Sequence, residues 1–221
     1  MQAFKPVTKQ DGAKLRKYYQ NCQYNLCEYS VGVKLMWRKV LHPAWMEVAD
    51  CLVVRNESNG QIVFDYPVAG PLGDEDAALA TMEAYCTNRC IPLIISVVPE
   101  CKAARLLARY PYIRVSSVRT WQDYLYYRED LQLFAGRRYS GQRNHINKFR
   151  SKWPEAFFRP LTADDREIID RFWLDYEAEF PKGDNAKAKN ELALAKNMLR
   201  MLDKPWFMVG GMFDGEKLIA L

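Results

Sequence analysis

Phe4-Lys-Pro-Val-Thr-Lys-Gln-Asp11 recurs as Phe158-Arg-Pro-Leu-Thr-Ala-Asp-Asp165, an F-[K/R]-P-[V/L]-T-x-x-D pattern repeated at an offset of 154 residues. A second signal, the turn dipeptide Asn59-Gly60, is echoed by Asp214-Gly215 at an offset of 155. Shared periods of this kind mark a duplicated unit, and a duplicated unit restricts the fold to one architecture used twice. Each copy reads as a short strand ending at proline, then a Thr N-cap with an acid three residues later. Helical segments follow, then two strands joined at a turn suited to type I′ geometry.

In the first copy the apolar periodicity predicts helices over 9–20 and 27–40 and strands near 48–55 and 61–67. Beyond these it predicts a helix over 75–88, a strand over 93–98, a helix over 100–108 and a last strand region from Tyr112 into Tyr126. In the second copy it predicts a strand at 156–160, helices at 163–179 and 188–202, and a hairpin over 207–221. Alternating strands and helices of this order make an α+β fold around a mixed α/β sheet. The expected domains are 1–153, closed by a basic helix over 131–153, and 154–221. The second is expected to be the N-terminal part of a longer domain, because Leu218, Ile219, Ala220 and Leu221 are still apolar where the chain stops. The apolar faces of Trp173, Phe207, Met208 and Ile219 would then need cover, and self-association is one way to supply it.

Charge is distributed unevenly. The chain has 32 Lys and Arg against 27 Asp and Glu. Six of the basic residues lie in the acid-free stretch from Gly136 to Trp153, and taking those six away leaves 26 against 27. On a helix, Tyr139, Ile146, Phe149 and Trp153 form one stripe, with Arg138, His145 and Lys152 on one flank and Arg143 and Arg150 on the other. A core-docked helix with basic margins suits RNA, an anionic cofactor or a lipid headgroup, and a merely solvated basic helix is the competing reading.

Other classes lose support. The longest apolar run, 91–99, is far below the ~20 residues of a membrane-spanning helix, and Met1 leads into a polar segment, so a cytoplasmic location is expected. The six cysteines include no C-x-x-C pair, which favours reduced thiols, and no metal ligand is assigned. No G-x-S-x-G elbow, H-E-x-x-H pair or P-loop occurs.

Three stretches carry a family resemblance: Phe64-Asp-Tyr-Pro-Val-Ala-Gly70, Trp121-Gln-Asp-Tyr-Leu-Tyr-Tyr127, and above all Gly136-Arg-Arg-Tyr-Ser-Gly-Gln-Arg-Asn-His-Ile-Asn-Lys-Phe149. The element order resembles that of GNAT-type acyltransferases. The duplication resembles the tandem arrangement of Fem-type aminoacyl transferases and of the C-terminal domain of phosphatidylglycerol lysyltransferases, with the soluble DUF2156 family the nearest likeness. The resemblance implies transfer of an acyl or aminoacyl group to an amine or hydroxyl. The donor it implies is an aminoacyl-tRNA, in which case tRNA is the partner and the basic helix a surface for its acceptor stem. An acyl-CoA-dependent N-acyltransferase with its cofactor loop beyond Leu221 is one alternative, and a non-catalytic RNA- or protein-binding module another.

A coenzyme A loop needs backbone N–H groups facing a pyrophosphate at a helix N-terminus. The corresponding turn, Val68 to Asp76, contains Pro71, which has no N–H, and three acids, Asp74, Glu75 and Asp76, which read as capping residues. The first copy is therefore expected to be a degenerate donor site. Arg138-Tyr-Ser-Gly-Gln-Arg143 approaches R-x-x-G-x-[G/A] but ends in arginine. The residues assigned to substrate or phosphate binding are Arg138, Arg143, Asn144 and Lys148, with Asp123 and Tyr126 as further candidates and His145 as the candidate base. For 123–127, core tyrosines with satisfied hydroxyls are the favoured alternative to a site.

Overall fold

The computed structural model describes residues 3–179 and 186–221. The chain divides into two compact units, Met1–Asp123 and Tyr124–Leu221. The basic helix, grouped with the first domain on sequence, falls in the second unit.

Unit 1 is built as β1 (Lys5–Pro6), α1 (Gly12–Tyr19), α2 (Val31–Met36), α3 (Arg38–Leu41), β2 (Ala44–Val48), β3 (Cys51–Ser58), β4 (Gln61–Asp65), β5 (Val68–Ala69), α4 (Glu75–Thr87), β6 (Ile95–Val97) and α5 (Glu100–Arg109). The sheet runs β1-β2-β3-β4-β6, with β5 paired to β3. All pairings are antiparallel except β4 with β6, which is parallel. Helix α4 sets Ala78, Leu79, Met82 and Cys86 onto Val53, Phe64 and Tyr66, all buried. That face follows the i, i+1, i+4, i+8 spacing of a core-facing helix. Helix α3 stops at His42, which has a left-handed φ of 44°.

Unit 2 contains α6 (Arg128–Leu133), α7 (Ser140–Lys152), β7 (Phe157–Pro160), α8 (Arg166–Glu179), α9 (Ala186–Met198), β8 (Gly210–Asp214) and β9 (Lys217–Ala220), with a sheet ordered β7-β8-β9. Its core gathers Leu161, Ile169, Trp173, Leu199, Phe213 and Leu218. Trp173 is thus covered within its own unit, against the expectation that its apolar face is left open. Phe213 and Leu218 face it from β8 and β9.

The repeat is visible in the pairing register. Pro6 lies opposite Ala44, and Lys5 opposite Trp45. Pro160 lies opposite Gly210, and Arg159 opposite Gly211. In both units the acid three residues after threonine reaches back to the threonine N–H: Asp11 at 2.7 Å and Asp165 at 2.8 Å. Both segments begin as a 3-10 turn before the α-helix sets in.

The turns correspond differently from the sequence expectation. Since β2 and β8 each pair with the strand that ends in proline, the β8-β9 hairpin matches β2-β3, whose turn is Ala49-Asp50. Asn59-Gly60 instead joins β3 to β4. Both Asn59 and Gly60 have positive φ, as do both Ala49 and Asp50, whereas in the second unit only Gly215 of the turn does. The offset of 155 therefore links non-equivalent hairpins.

The strand region expected over 112–126 is absent. A 3-10 turn at Arg119–Trp121 interrupts it, and among the described residues no ladder partner lies beside it. Without a ladder its backbone has no reason to hold the pleat, and its apolar side chains face water.

Candidate functional site

Two places have the chemistry of a site, one in each unit. In unit 1 the turn at residues 70–74 leads into α4 as an anion-binding loop would. Its amides are already engaged. Gly70 N–H donates to Asp50 O (2.7 Å), Leu72 N–H to the Asp50 carboxylate (2.9 Å), Asp74 N–H to Ala49 O (2.9 Å) and Gly73 N–H to Gly70 O (3.1 Å). Pro71 has none to offer. The approach is so close that a Cβ on Gly70 would sit 2.5 Å from Asp50 Oδ2. The β2-β3 turn thus plugs the loop with a carboxylate where a phosphate would lie.

The helix start behind the loop is filled in the same way. Asp74 caps α4 by accepting from the Asp76 and Ala77 N–H groups at 2.9 and 3.1 Å. Glu75 is buried and accepts from Tyr66 (2.7 Å) and Lys102 (2.8 and 3.0 Å), with Arg105 at 3.2 Å. Burial and the Glu75 carboxylate push the Tyr66 hydroxyl well above its ordinary pKa. In this network the cations nearest the helix start, Lys102 and Arg105, are already paired with Glu75.

Unit 2 presents the basic helix. Tyr139, Ile146, Phe149 and Trp153 are half-buried, as their stripe predicts, but no residue of α7 is fully buried. Arg143 is half-buried with them and donates to the carbonyls of Phe134 and Gly136, the latter at 2.8 Å. Phe134 and Gly136 both have positive φ, so Arg143 ties down a strained entry loop. Arg138 pairs with Asp130 at 2.6 Å and lies over the Tyr139 ring. Asn144, His145 and Lys148 are exposed and, with Arg137 and Arg150, have no side-chain partner among the described residues. The candidates therefore separate into anchors, Arg138 and Arg143, and free groups, Asn144, His145 and Lys148.

Asp123 and Tyr126 fall in different units. Asp123 belongs to unit 1, where it accepts from Cys27 N–H at 2.9 Å. Cys27, Glu28 and Asp123 hold their ligand atoms within 4.8 Å of one another. Desolvation, helped by the Glu28 and Asp123 carboxylates, pushes the Cys27 thiol up to about 12. Tyr124 and Tyr126 are exposed rather than core residues, with rings nearly parallel and centroids 6.4 Å apart.

A cavity of about 240 Å³ in unit 2 was not singled out on sequence. Arg166, Lys196 and Arg200 line it above Trp173 and Leu199, with Asp170 beside them. The i, i+4 spacings Arg166/Asp170 and Lys196/Arg200 carried the signal, which reads equally well as solvated helix faces.

Residues 20–221 match a family profile described as phosphatidylglycerol lysyltransferase, C-terminal. The chain belongs to this family. The match covers the greater part of unit 1 and all of unit 2, and it identifies an aminoacyl-transferase domain. A solved structure from Bacteroides thetaiotaomicron VPI-5482, described as a conserved protein of unknown function, is similar with a TM-score of 0.79 at 22% identity. The similarity covers 99% of this chain and 73% of that one, and it shows a shared fold. No curated protein matches the chain. No helix among the described residues is long and apolar enough to cross a membrane.

Proposed function

We propose that the chain transfers an aminoacyl group from tRNA to an amine or hydroxyl acceptor, with α7 as the surface that meets the tRNA. The observation that carries this reading is the set of exposed groups without a side-chain partner among the described residues: Asn144, His145, Lys148 and Arg150 on α7, and Arg137 in the 3-10 turn before it. Within an aminoacyl-transferase family, a carrier with a phosphate backbone gives those cations a ligand. The plugged loop of unit 1 argues against coenzyme A at that position.

The chemistry needs no covalent enzyme intermediate. An acceptor nitrogen or oxygen attacks the ester carbonyl of the charged tRNA. The bond from that carbon to the ribose oxygen breaks, and the proton lost by the acceptor passes to the departing oxygen. His145 is the assigned base for that transfer, and the anchored arginines Arg138 and Arg143 position the helix that carries it. The test uses tRNA charged with labelled lysine, incubated with the chain and with amine or hydroxyl acceptors, phospholipid vesicles included. Label should leave the RNA for an acceptor faster than it hydrolyses spontaneously. Label that stays on the RNA at the spontaneous rate contradicts the proposal.

A further inference from the structure

Three exposed tyrosines lie immediately before the basic segment of unit 2. Tyr124, Tyr126 and Tyr127 are 84%, 54% and 79% exposed. Tyr124 and Tyr126 are two apart on extended chain, which places them on one side, and their rings lie within 19° of parallel. Such area left in water is unfavourable unless something occupies it.

The surroundings define the occupant. Tyr139, in the turn just before α7, lies under the Arg138 guanidinium, 4.6 Å from ring centroid to Cζ. Arg128 and Arg137, on either side in sequence, are exposed and without a side-chain partner among the described residues. Flat aromatic faces next to free cations form the surface on which unpaired nucleotides bind: bases stack on the rings and phosphates meet the cations. A duplex buries its base faces against one another and cannot use the rings.

We propose that Tyr124 and Tyr126 form a stacking platform for an unpaired RNA segment, namely the single-stranded 3′ end of the tRNA. This rests on the donor reading above. It assigns the tyrosines to the unpaired end and leaves the paired stem to α7.

The test titrates the full chain with a labelled, unpaired oligoribonucleotide of about eight residues, and in parallel with a hairpin of the same length and with intact tRNA. The unpaired strand should bind more tightly than the hairpin. Y124A/Y126A should weaken it by about tenfold or more with the salt dependence unchanged, because stacking releases no counterions. Y124F/Y126F, which keeps the rings, should bind like wild type, and since both side chains are exposed none of these changes touches the core. No binding of the unpaired strand, or equal binding by Y124A/Y126A, overturns the platform. If the platform result holds but intact tRNA does not bind, the platform stands for unpaired RNA and the tRNA reading fails. If tRNA binds and is indifferent to both tyrosines, the tRNA reading stands and the platform fails.

Discussion

The carboxylate of Asp50 accepts the backbone N–H of Leu72 at 2.9 Å, and with it the tip of the β2-β3 hairpin seals the glycine loop in front of α4. Asp50→Ala removes that acceptor and should lower the stability of unit 1 by about 0.5–1.5 kcal/mol in denaturant titration. Asp50→Asn keeps an acceptor and tolerates the positive φ of this position, so it should cost less.

The same turn holds Ala49 at a φ of 47°. A left-handed alanine costs roughly 1–2 kcal/mol, part of which glycine returns in conformational entropy. Ala49→Gly should therefore raise stability by about 0.5–1 kcal/mol. Gly60→Ala, at a φ of 74°, should lower it by a comparable amount, and thermal unfolding of the two variants in opposite directions checks the pair.

Ala49-Asp50 also shows where sequence legibility ended. Both proline-threonine-acid segments and the Asn59-Gly60 turn were readable, because each is set by local hydrogen bonding or by φ alone. Ala49-Asp50 carries no glycine or asparagine, so strand β2 was missed and the wrong hairpins were matched. The strand expected over 112–126 failed for a related reason, since alternating apolar residues make a strand only where a neighbour completes the ladder. In the basic helix the stripe was legible from period 3.6. The commitment of Arg143 to the Phe134 and Gly136 carbonyls was not, because it depends on where a loop seven to nine residues earlier folds back.

Inside unit 1, Lys34 and Asp65 form an ion pair at 2.5 Å with 5% and 3% of their side chains exposed, and Asn56 donates to the same carboxylate at 2.9 Å. Lys34→Met leaves that carboxylate buried without its cation and should cost about 3–5 kcal/mol. Lys34→Met combined with Asp65→Leu should recover much of the loss, and a double-mutant cycle by denaturant unfolding measures the difference.

In unit 2, Arg159 grips Asp165 through two hydrogen bonds at 2.6 and 2.9 Å, and Thr162 N–H adds a third. These hold the Asp165 carboxyl well below the usual carboxylate range, with the Arg159 bonds the largest cause. A depressed folded pKa stabilises the unit above the unfolded value of about 3.9, and the contribution is lost as pH falls from there toward the folded value. Asp165→Asn should therefore be less stable than wild type at neutral pH. The gap should narrow steadily below about pH 4, as followed by thermal melts across that range.

The salt dependence of tRNA binding tests the central claim most directly. With α7 as the tRNA-facing surface, the logarithm of the binding constant should fall linearly with the logarithm of salt concentration. Replacing Arg137, Lys148 and Arg150 together by alanine should flatten that slope by about two to three units, close to one for each phosphate contact removed. A binding constant indifferent to salt, or a slope unchanged in the triple variant, would contradict the account.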